Sequence, residues 1–410
     1  MKLLVISDLH VGPKARAQDF STAPDDMACR NTPDYLKEFD DLVDKNQLEV
    51  THILIAGDIT QSATYEEFEL AACNIQKLAK KLNVDKNKIF FVPGNHDGNW
   101  DEERISIANK EPLALSISKK YTNIEQHPFF STLLDNAQFK DMYKSPFGSI
   151  WMDKELVVVG VNSSANDLAI NDLHHGLVNL KELDILKLKL SELDTSGKLK
   201  VLITHHHPKN LADRTFPEND YSIMQNADYF LRLATEKEFD VIVHGHKHIP
   251  RFDIHSDANN FPIVTLSSGS FSASLKDYHN GVGNFFHIID VEGKCPTNKN
   301  ILGKVISWAY FDNNGWITAD KSRDYISHVE FFGDVRNKSV LKNEFRAEIQ
   351  THLLVNDFFR WSSFLVKKPE MKYCNLNLRE NAIKETCLEE GWEYCPMKRD
   401  GDFMIMKEDL

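Results

Sequence analysis

Through its first 290 residues this chain alternates short β-branched runs with segments of helical period, and that alternation constrains its fold more than any other feature. Strands separated by helices predict an α/β domain built on mainly parallel sheets. Strands are expected at Leu3 to Ile6, His52 to Ala56, Ile89 to Val92, Leu156 to Val161, Lys200 to Thr204, Val241 to His244, Ile263 to Leu266 and Phe285 to Ile289. Helices are expected at Pro33 to Lys45, Tyr65 to Leu82, Leu180 to Leu193 and Ser222 to Thr235. Thr32-Pro33 is a cap followed by a first-turn proline, and Thr64 with Glu67 has the spacing of a capping box.

Two stretches, Val11 to Asn31 and Gly98 to Ser149, are longer than ordinary connections. The second carries Phe129, Phe130, Phe139, Tyr143 and Phe147 and reads as a lid or as a packed insertion. From about Val291 the alternation stops. Aromatic residues stay frequent there, Trp308, Tyr310, Trp316, Phe331, Phe358 and Trp361 among them, so the segment is expected to fold. Asn313-Asn314-Gly315 between apolar runs is a hairpin signal. The expected organisation is therefore an α/β domain at residues 1–290, with the 98–149 insertion, and a smaller α+β accessory module at 291–410. The boundary falls between Asp290 and Asn314, and the module's role is not legible.

Charge narrows the function. With 48 Lys+Arg against 61 Asp+Glu the chain carries a formal −13, which argues against a broad grip on nucleic-acid phosphates, because such binding is driven by cationic side chains displacing counterions. Residues 291–410 hold 18 Lys+Arg and 19 Asp+Glu, so nearly all of the excess lies in the first 290. No apolar run approaches the ~20 residues of a membrane-spanning helix. The amino-terminal run Met1 to Ser7 is too short for a signal peptide, so a cytoplasmic location is expected. Six cysteines with no pair spaced by two residues read as buried thiols.

Five short segments lie just beyond predicted strands, where α/β folds place their ligands. They are Asp8-Leu9-His10, Gly57-Asp58, Gly94-Asn95-His96-Asp97, His205-His206-His207-Pro208 and His244-Gly245-His246-Lys247-His248. Any one alone is an ordinary turn or solvated loop. Five in order, all at strand ends, deliver enough carboxylates and imidazoles to hold two divalent ions. A mixed oxygen and nitrogen set without thiolate suits Mn²⁺, Fe, Zn²⁺, Co²⁺ or Ni²⁺, Mn²⁺ first among them. Two such ions ~3.5 to 4 Å apart can clamp a phosphoryl group and lower the pKa of a bridging water to near neutrality. Hydrolysis of a phosphate ester is the chemistry suggested.

The ordered set resembles the signature of the calcineurin-like metallophosphoesterase superfamily over roughly residues 1 to 290. Around Val201 to Pro250 it is similar to the cyclic-nucleotide phosphodiesterase branch. The resemblance implies a four-layer α/β/β/α sandwich with a dimetal site above the strand ends. Carried over position by position, it implies that Asp8, His10 and His248 bind one metal, that Asn95, His206 and His246 bind the other, and that Asp58 bridges them. His206 is chosen over its neighbours because it stands two residues before Pro208. His96 would act as general acid or steady charge on the phosphoryl group, with Asp97 holding its ring. Arg16 and His175 are weaker candidates for contacting substrate, His175 because a His-Gly step approaches the substrate in the similar branch.

The leading expectation is a metal-dependent phosphoric ester hydrolase, a phosphodiesterase acting on a small molecule or nucleotide. The alternative is a DNA or RNA nuclease whose C-terminal module grips nucleic acid or a partner subunit. A scaffold without activity fits less well, since no ligand of the set is missing. No membrane partner is expected.

Overall fold

The computed structural model describes the chain except for residues 14, 24–33, 171–174, 211–222, 257–261, 275–282, 296–298, 313, 398–401 and 408–410. Among the described residues the strands are β1 (Lys2–Ile6), β2 (His52–Ala56), β3 (Ile89–Val92), β4 (Phe139–Asp141), β5 (Gly148–Met152), β6 (Leu156–Val161), β7 (Leu199–Thr204), β8 (Val241–His244), β9 (Pro250–His255), β10 (Ile263–Ser268), β11 (Asn284–Lys294), β12 (Ile301–Phe311), β13 (Gly315–Thr318), β14 (Val329–Phe332), β15 (Phe358–Arg360), β16 (Trp392–Pro396) and β17 (Phe403–Lys407). The helices are α1 (Tyr35–Asn46), α2 (Tyr65–Lys81), α3 (Trp100–Ala108), α4 (Leu113–Lys120), α5 (Thr122–Gln126), α6 (Pro128–Asp135), α7 (Leu180–Ser191), α8 (Ala227–Glu236), α9 (Lys321–Asp324), α10 (Lys338–Leu353), α11 (Trp361–Lys367) and α12 (Leu376–Glu390). The chain divides into two compact units, one of Met1–Ile289 with Ile306–His328 and one of Asp290–Val305 with Val329–Leu410.

In the first unit one sheet follows the order β13-β12-β11-β1-β2-β3 and the other β4-β5-β6-β7-β8-β10-β9. The pairs β1/β2, β2/β3, β6/β7, β7/β8 and β8/β10 are parallel. Among them β2, β3, β6 and β8 are buried along their whole length and almost wholly apolar because both of their faces are covered. The sheets lie face to face, β2 and β3 against β6 and β7, with the Phe90 and Trp151 rings 5.6 Å apart between them. On the outside of one, α1 presents Phe39 to Phe286, rings 5.0 Å apart. On the outside of the other, Leu183, Leu186 and Leu190 of α7 and Phe230 and Leu233 of α8 close a core with Val157, Val159 and Leu202. This is the four-layer α/β/β/α arrangement.

Helix α2 starts on the Thr64–Glu67 capping box expected from sequence, and β12 and β13 form the expected hairpin. The proposed cap and proline at 32–33 lie outside the described residues. The stretch 98–149 is not an irregular loop: it folds as α3 to α6 and then supplies β4 and the first two residues of β5, with Phe130, Tyr143 and Phe147 buried. Of the five described cysteines, all free, only Cys374 and Cys387 are buried, so the expectation of buried thiols fails at exposed Cys73 and half-buried Cys295 and Cys395. No helix among the described residues is long and apolar enough to cross a membrane.

After the ends of β11 and β12 that fall within it and strand β14, the second unit runs α10, β15, α11, α12, β16, β17, and its three-stranded antiparallel sheet has the order β15-β17-β16. Its core gathers Leu341, Phe345 and Ile349 from α10, Trp361 and Phe364 from α11, Ala382 and Ile383 from α12, and Phe403 and Ile405 from β17. Lys338, Lys342 and Arg346 on α10 pair with Glu385, Glu389 and Glu390 on α12.

Candidate metal centre

Each of the five motif segments begins where a parallel strand ends. Strand β1 stops at Ile6 and leads to Asp8 and His10; β2 stops at Ala56 and leads to Asp58; β3 stops at Val92 and leads to Asn95 and His96. From the second sheet, β7 stops at Thr204 before His205, and β8 stops at His244 before His246 and His248. The parallel strands of two facing sheets thus bring side chains some 240 positions apart to one place.

The convergence forms two groups. Donor atoms of Asp8, His10, Asp58 and His248 all lie within 4.8 Å of one another, and so do those of Asp58, His205 and His246. Asp58 belongs to both. In the first group His10 Nε2 is 3.3 Å from His248 Nε2 and 3.5 Å from Asp58 Oδ2, and His248 Nε2 is 3.3 Å from Asp8 Oδ1. In the second, His205 Nε2 lies 3.2 Å from Asp58 Oδ2, 3.1 Å from Asn95 Oδ1 and 3.1 Å from His246 Nδ1.

Local backbone is bent to achieve this. Asp8, His10, Asp58, His246 and His248 all have left-handed φ, between 47° and 78°. Each such residue costs about 1–3 kcal/mol and persists only where its surroundings hold it. Here they do: Asp8 N–H donates to Gly57 O, His10 N–H to Asp58 O, and His246 N–H to both Asp8 carboxylate oxygens. Two glycines make the approach possible. A side chain at Gly94 would overlap the Asp58 carboxylate, and one at Gly245 the Ser7 hydroxyl and the Asp8 carboxylate.

Burial alone raises the Asp58 carboxyl, but His205, His96 and His10 around it outweigh burial and hold it well below the usual carboxylate range. Burial likewise disfavours a charged His205, yet the Asp58 carboxylate carries it up to about 9. The site therefore draws positive charge to the face of Asp58. Burial, helped by His96, lowers His10 to about 3, and burial, helped by His206 and His205, holds His246 well below its usual value. Both are neutral imidazoles at physiological pH, the form that binds metal. Desolvated carboxylates and neutral ring nitrogens aimed at common points, with no thiolate, fit two divalent cations of the borderline transition series.

Three sequence expectations need correcting against this geometry. The histidine facing Asp58, Asn95 and His246 is His205, the first residue beyond β7. His206 turns Nδ1 to Ser163 Oγ at 2.9 Å, and its ring packs against Gly176. The rule of two residues before proline points to His206, whereas the donor group takes in His205, because the triple-histidine loop holds one more residue between strand end and proline. Position relative to the end of β7 was the signal that would have found His205. Asp97 does not hold the His96 ring. Its carboxylate accepts from the N–H groups of Ile59, Thr60 and Gly94 and from Thr60 Oγ1, at 2.8 to 3.1 Å, tying two motif loops together. The His96 ring is set by Gln61, whose carbonyl lies 2.9 Å from Nδ1, while the His96 N–H donates to Asp58 Oδ1. Arg16 is engaged elsewhere: Nη2 pairs with Asp312 at 2.6 Å, Nη1 donates to Asn284, and the guanidinium lies over the Tyr310 ring. His175 is half-buried, one residue before the Gly176 that packs on His206; His174 lies outside the described residues.

Comparison with known proteins agrees with this architecture. A family profile described as calcineurin-like phosphoesterase matches residues 1–250, and one described as wHTH-Calcineurin_assc matches residues 330–388. An uncharacterized metallophosphoesterase-like protein of Bacillus subtilis strain 168 is 23% identical over 287 residues, which cover 68% of this chain and 54% of that protein. The chain thus spans about half the length of this curated relative. Similar solved structures include a purple acid phosphatase from yellow lupin (Lupinus luteus) seeds, with 9% identity, a TM-score of 0.47, and coverage of 77% of this chain and 52% of that one. Another is a dimetal phosphatase from Danio rerio, with 10% identity, a TM-score of 0.41, and coverage of 77% and 96%. Since the first profile spans more than half of the 410 residues, the chain belongs to the calcineurin-like phosphoesterase family of hydrolases.

Proposed function

We propose that this chain hydrolyses a phosphate ester at a centre of two divalent cations, one held by Asp8, His10, Asp58 and His248 and the other by Asp58, Asn95, His205 and His246. The observation that carries this is the pair of donor groups sharing one buried carboxylate. Two such cations, when bound, supply Lewis-acid charge for the phosphoryl oxygens and a water acidified to near-neutral pKa; Mn²⁺ is the cation we favour for this carboxylate–imidazole set.

The protein's own groups do the rest. With Nδ1 donating to the Gln61 carbonyl, His96 keeps Nε2 for exchanging a proton with the leaving-group oxygen. Asp97 sets the distance between the Asp58 and His96 loops, so it is a positioning residue. We favour a phosphodiester in a small molecule or nucleotide as substrate, on the similarity of Val201 to Pro250 to cyclic-nucleotide phosphodiesterases and on the His175-Gly176 step beside His206. The test is a panel of bis(p-nitrophenyl) phosphate, p-nitrophenyl phosphate, cyclic nucleotides and DNA offered to metal-reconstituted protein. Metal-dependent cleavage of diesters is expected; a protein that binds two ions and cleaves nothing would rule the reading out.

The nuclease reading keeps one support, the winged helix-turn-helix description attached to residues 330–388. Against it stands the pairing of Lys338, Lys342 and Arg346 with Glu385, Glu389 and Glu390, which engages those cations within the module and away from phosphates. Nicking of DNA in the same panel, with binding that weakens steeply as salt rises, would favour the nuclease.

A further inference from the structure

Lys120, the last residue of α4, is completely buried together with Glu103 of α3, its Nζ 3.3 Å from Glu103 Oε1. A buried ion pair is seldom the cheapest way to fill a core, because both charges lose their hydration. This one is surrounded by the main chain of a single loop. Lys120 Nζ donates to the carbonyls of Ser164 (3.2 Å), Ala165 (3.3 Å) and Asp167 (2.6 Å), and Glu103 Oε2 accepts the Ala169 N–H at 2.6 Å. These two side chains thus bind backbone groups of the irregular segment after β6, where the Ser164 carbonyl also accepts the Asp167 N–H.

Both ends of the clamp reach the candidate centre. On one side the loop begins at Ser163, whose Oγ meets His206 Nδ1 at 2.9 Å and accepts the His206 N–H at 3.2 Å. His206 adjoins His205, and its ring is 4.4 Å from that of His246. On the other side, Asn99 N–H donates to the Lys120 carbonyl at 2.8 Å. A Cβ on Gly98 would sit 2.7 Å from Lys120 Cγ, so the Lys120 stem is the floor under the turn that follows His96 and Asp97. Trp100 closes the pocket, its ring centroid 4.6 Å from Nζ.

We propose that Lys120 is a positioning residue for the phosphoester reaction: with Glu103 it fixes the loop behind His206 and the turn behind His96 to one another, and so sets the proton donor against the imidazoles across the centre. This rests on the phosphoesterase reading above. A purely structural pair would serve stability, and a neutral replacement that restored stability would restore turnover. A positioning pair separates the two, since displacements near 1 Å at reacting groups cost roughly 100-fold in rate.

The test uses the full chain carrying Lys120→Met, alone and combined with Glu103→Gln, which removes the unpaired buried carboxylate. Thermal midpoint, bound ions per chain, and kcat and KM for bis(p-nitrophenyl) phosphate are measured. The double variant is expected to recover most of the thermal midpoint lost by the single one, to bind two ions, and to keep a KM within about threefold with kcat down roughly 100-fold. A double variant whose kcat returns to within about threefold of the parent overturns the proposal, as does one that loses an ion. A second measurement needs no variant: hydrogen exchange in the parent chain should protect the Ala169 amide as well as those of β6. Free exchange at Ala169 overturns the clamp, whether or not the variants fold. A parent chain inert toward every ester would count against the phosphoesterase reading instead, and the exchange result would still decide whether the loop is held.

Discussion

The two ends of the candidate centre are built by different means. At the Asp8 end, the three residues contributed besides Asp58 all have left-handed backbone, and they come from two segments of the form ligand-x-ligand. At the Asn95 end, Asn95 opens a short 3₁₀ turn and His205 is the first residue beyond β7; besides the shared Asp58, only His246 is left-handed. Strained segments admit few alternatives, so their spacing is rigid and can be read from sequence. A histidine run leaving a regular strand offers several equivalent side chains, and only the register of the strand decides which faces the centre.

Removing the group that both ends share tests the comparison most severely. Asp58→Ala is expected to lose both ions and to lower diester hydrolysis by roughly a thousandfold or more, given the several kcal/mol of charge stabilisation that bound ions supply. Two retained ions by elemental analysis would refute a shared carboxylate. Next comes the unequal pair at the Asn95 end. His205→Ala should leave one ion per chain, whereas His206→Ala should keep two and cost roughly tenfold, as an outer-sphere hydrogen-bonding partner does. The reverse ranking would restore the assignment that sequence alone suggested. His96→Ala belongs to neither end: both ions stay, and kcat falls roughly 100-fold, at the lower limit of what a positioned acid contributes. Loss of an ion there would place His96 among the ligands.

A buried histidine away from the centre supplies the control. His287 lies between Ser307 Oγ and the Ser268 carbonyl, at 2.8 Å from each, and burial lowers it from 6.5 to about 4. Between those values the unfolded chain takes up a proton that the folded chain refuses. Its contribution to stability is therefore complete above pH 6.5 and is lost as pH falls toward 4, by on the order of 3 kcal/mol. Urea midpoints at pH 7 and pH 4.5 should differ less in His287→Gln than in the parent, with diester turnover at pH 7 unchanged. Equal pH slopes would show that desolvation at His287 is not felt.

Legibility followed the same division. The parallel strands could be placed because continuous burial leaves an apolar run with sharp ends: β2, β3, β6 and β8 fall on the predicted residues. Asp8, His10, Asp58, Asn95, His246 and His248 were legible as a set, because each stands at a fixed distance from such an end. His205 was missed for want of a rigid spacing. Lys120, Glu103 and Ser163 left no local signal, since their meaning lies in contacts between α3, α4 and the loop after β6. Arg16 was misread because its partner Asp312 is nearly 300 positions away. The helices of 98–149 were unread for a similar reason: α3 is short, and its buried residues Glu103 and Ser106 are polar.

The bonds that Asp97 makes across two loops bear on where this architecture tolerates changes of length. One carboxylate measures the segment after β2 against the segment after β3, so an added or deleted residue in either would put the amides of Ile59, Thr60 and Gly94 out of its reach. The exposed turn between α7 and β7, at Ser196 and Gly197, lies apart from those amides, and a side chain at Gly197 would meet nothing within 4 Å. Insertions accepted without loss of the centre should accumulate there, and grafted sequence should be placed there.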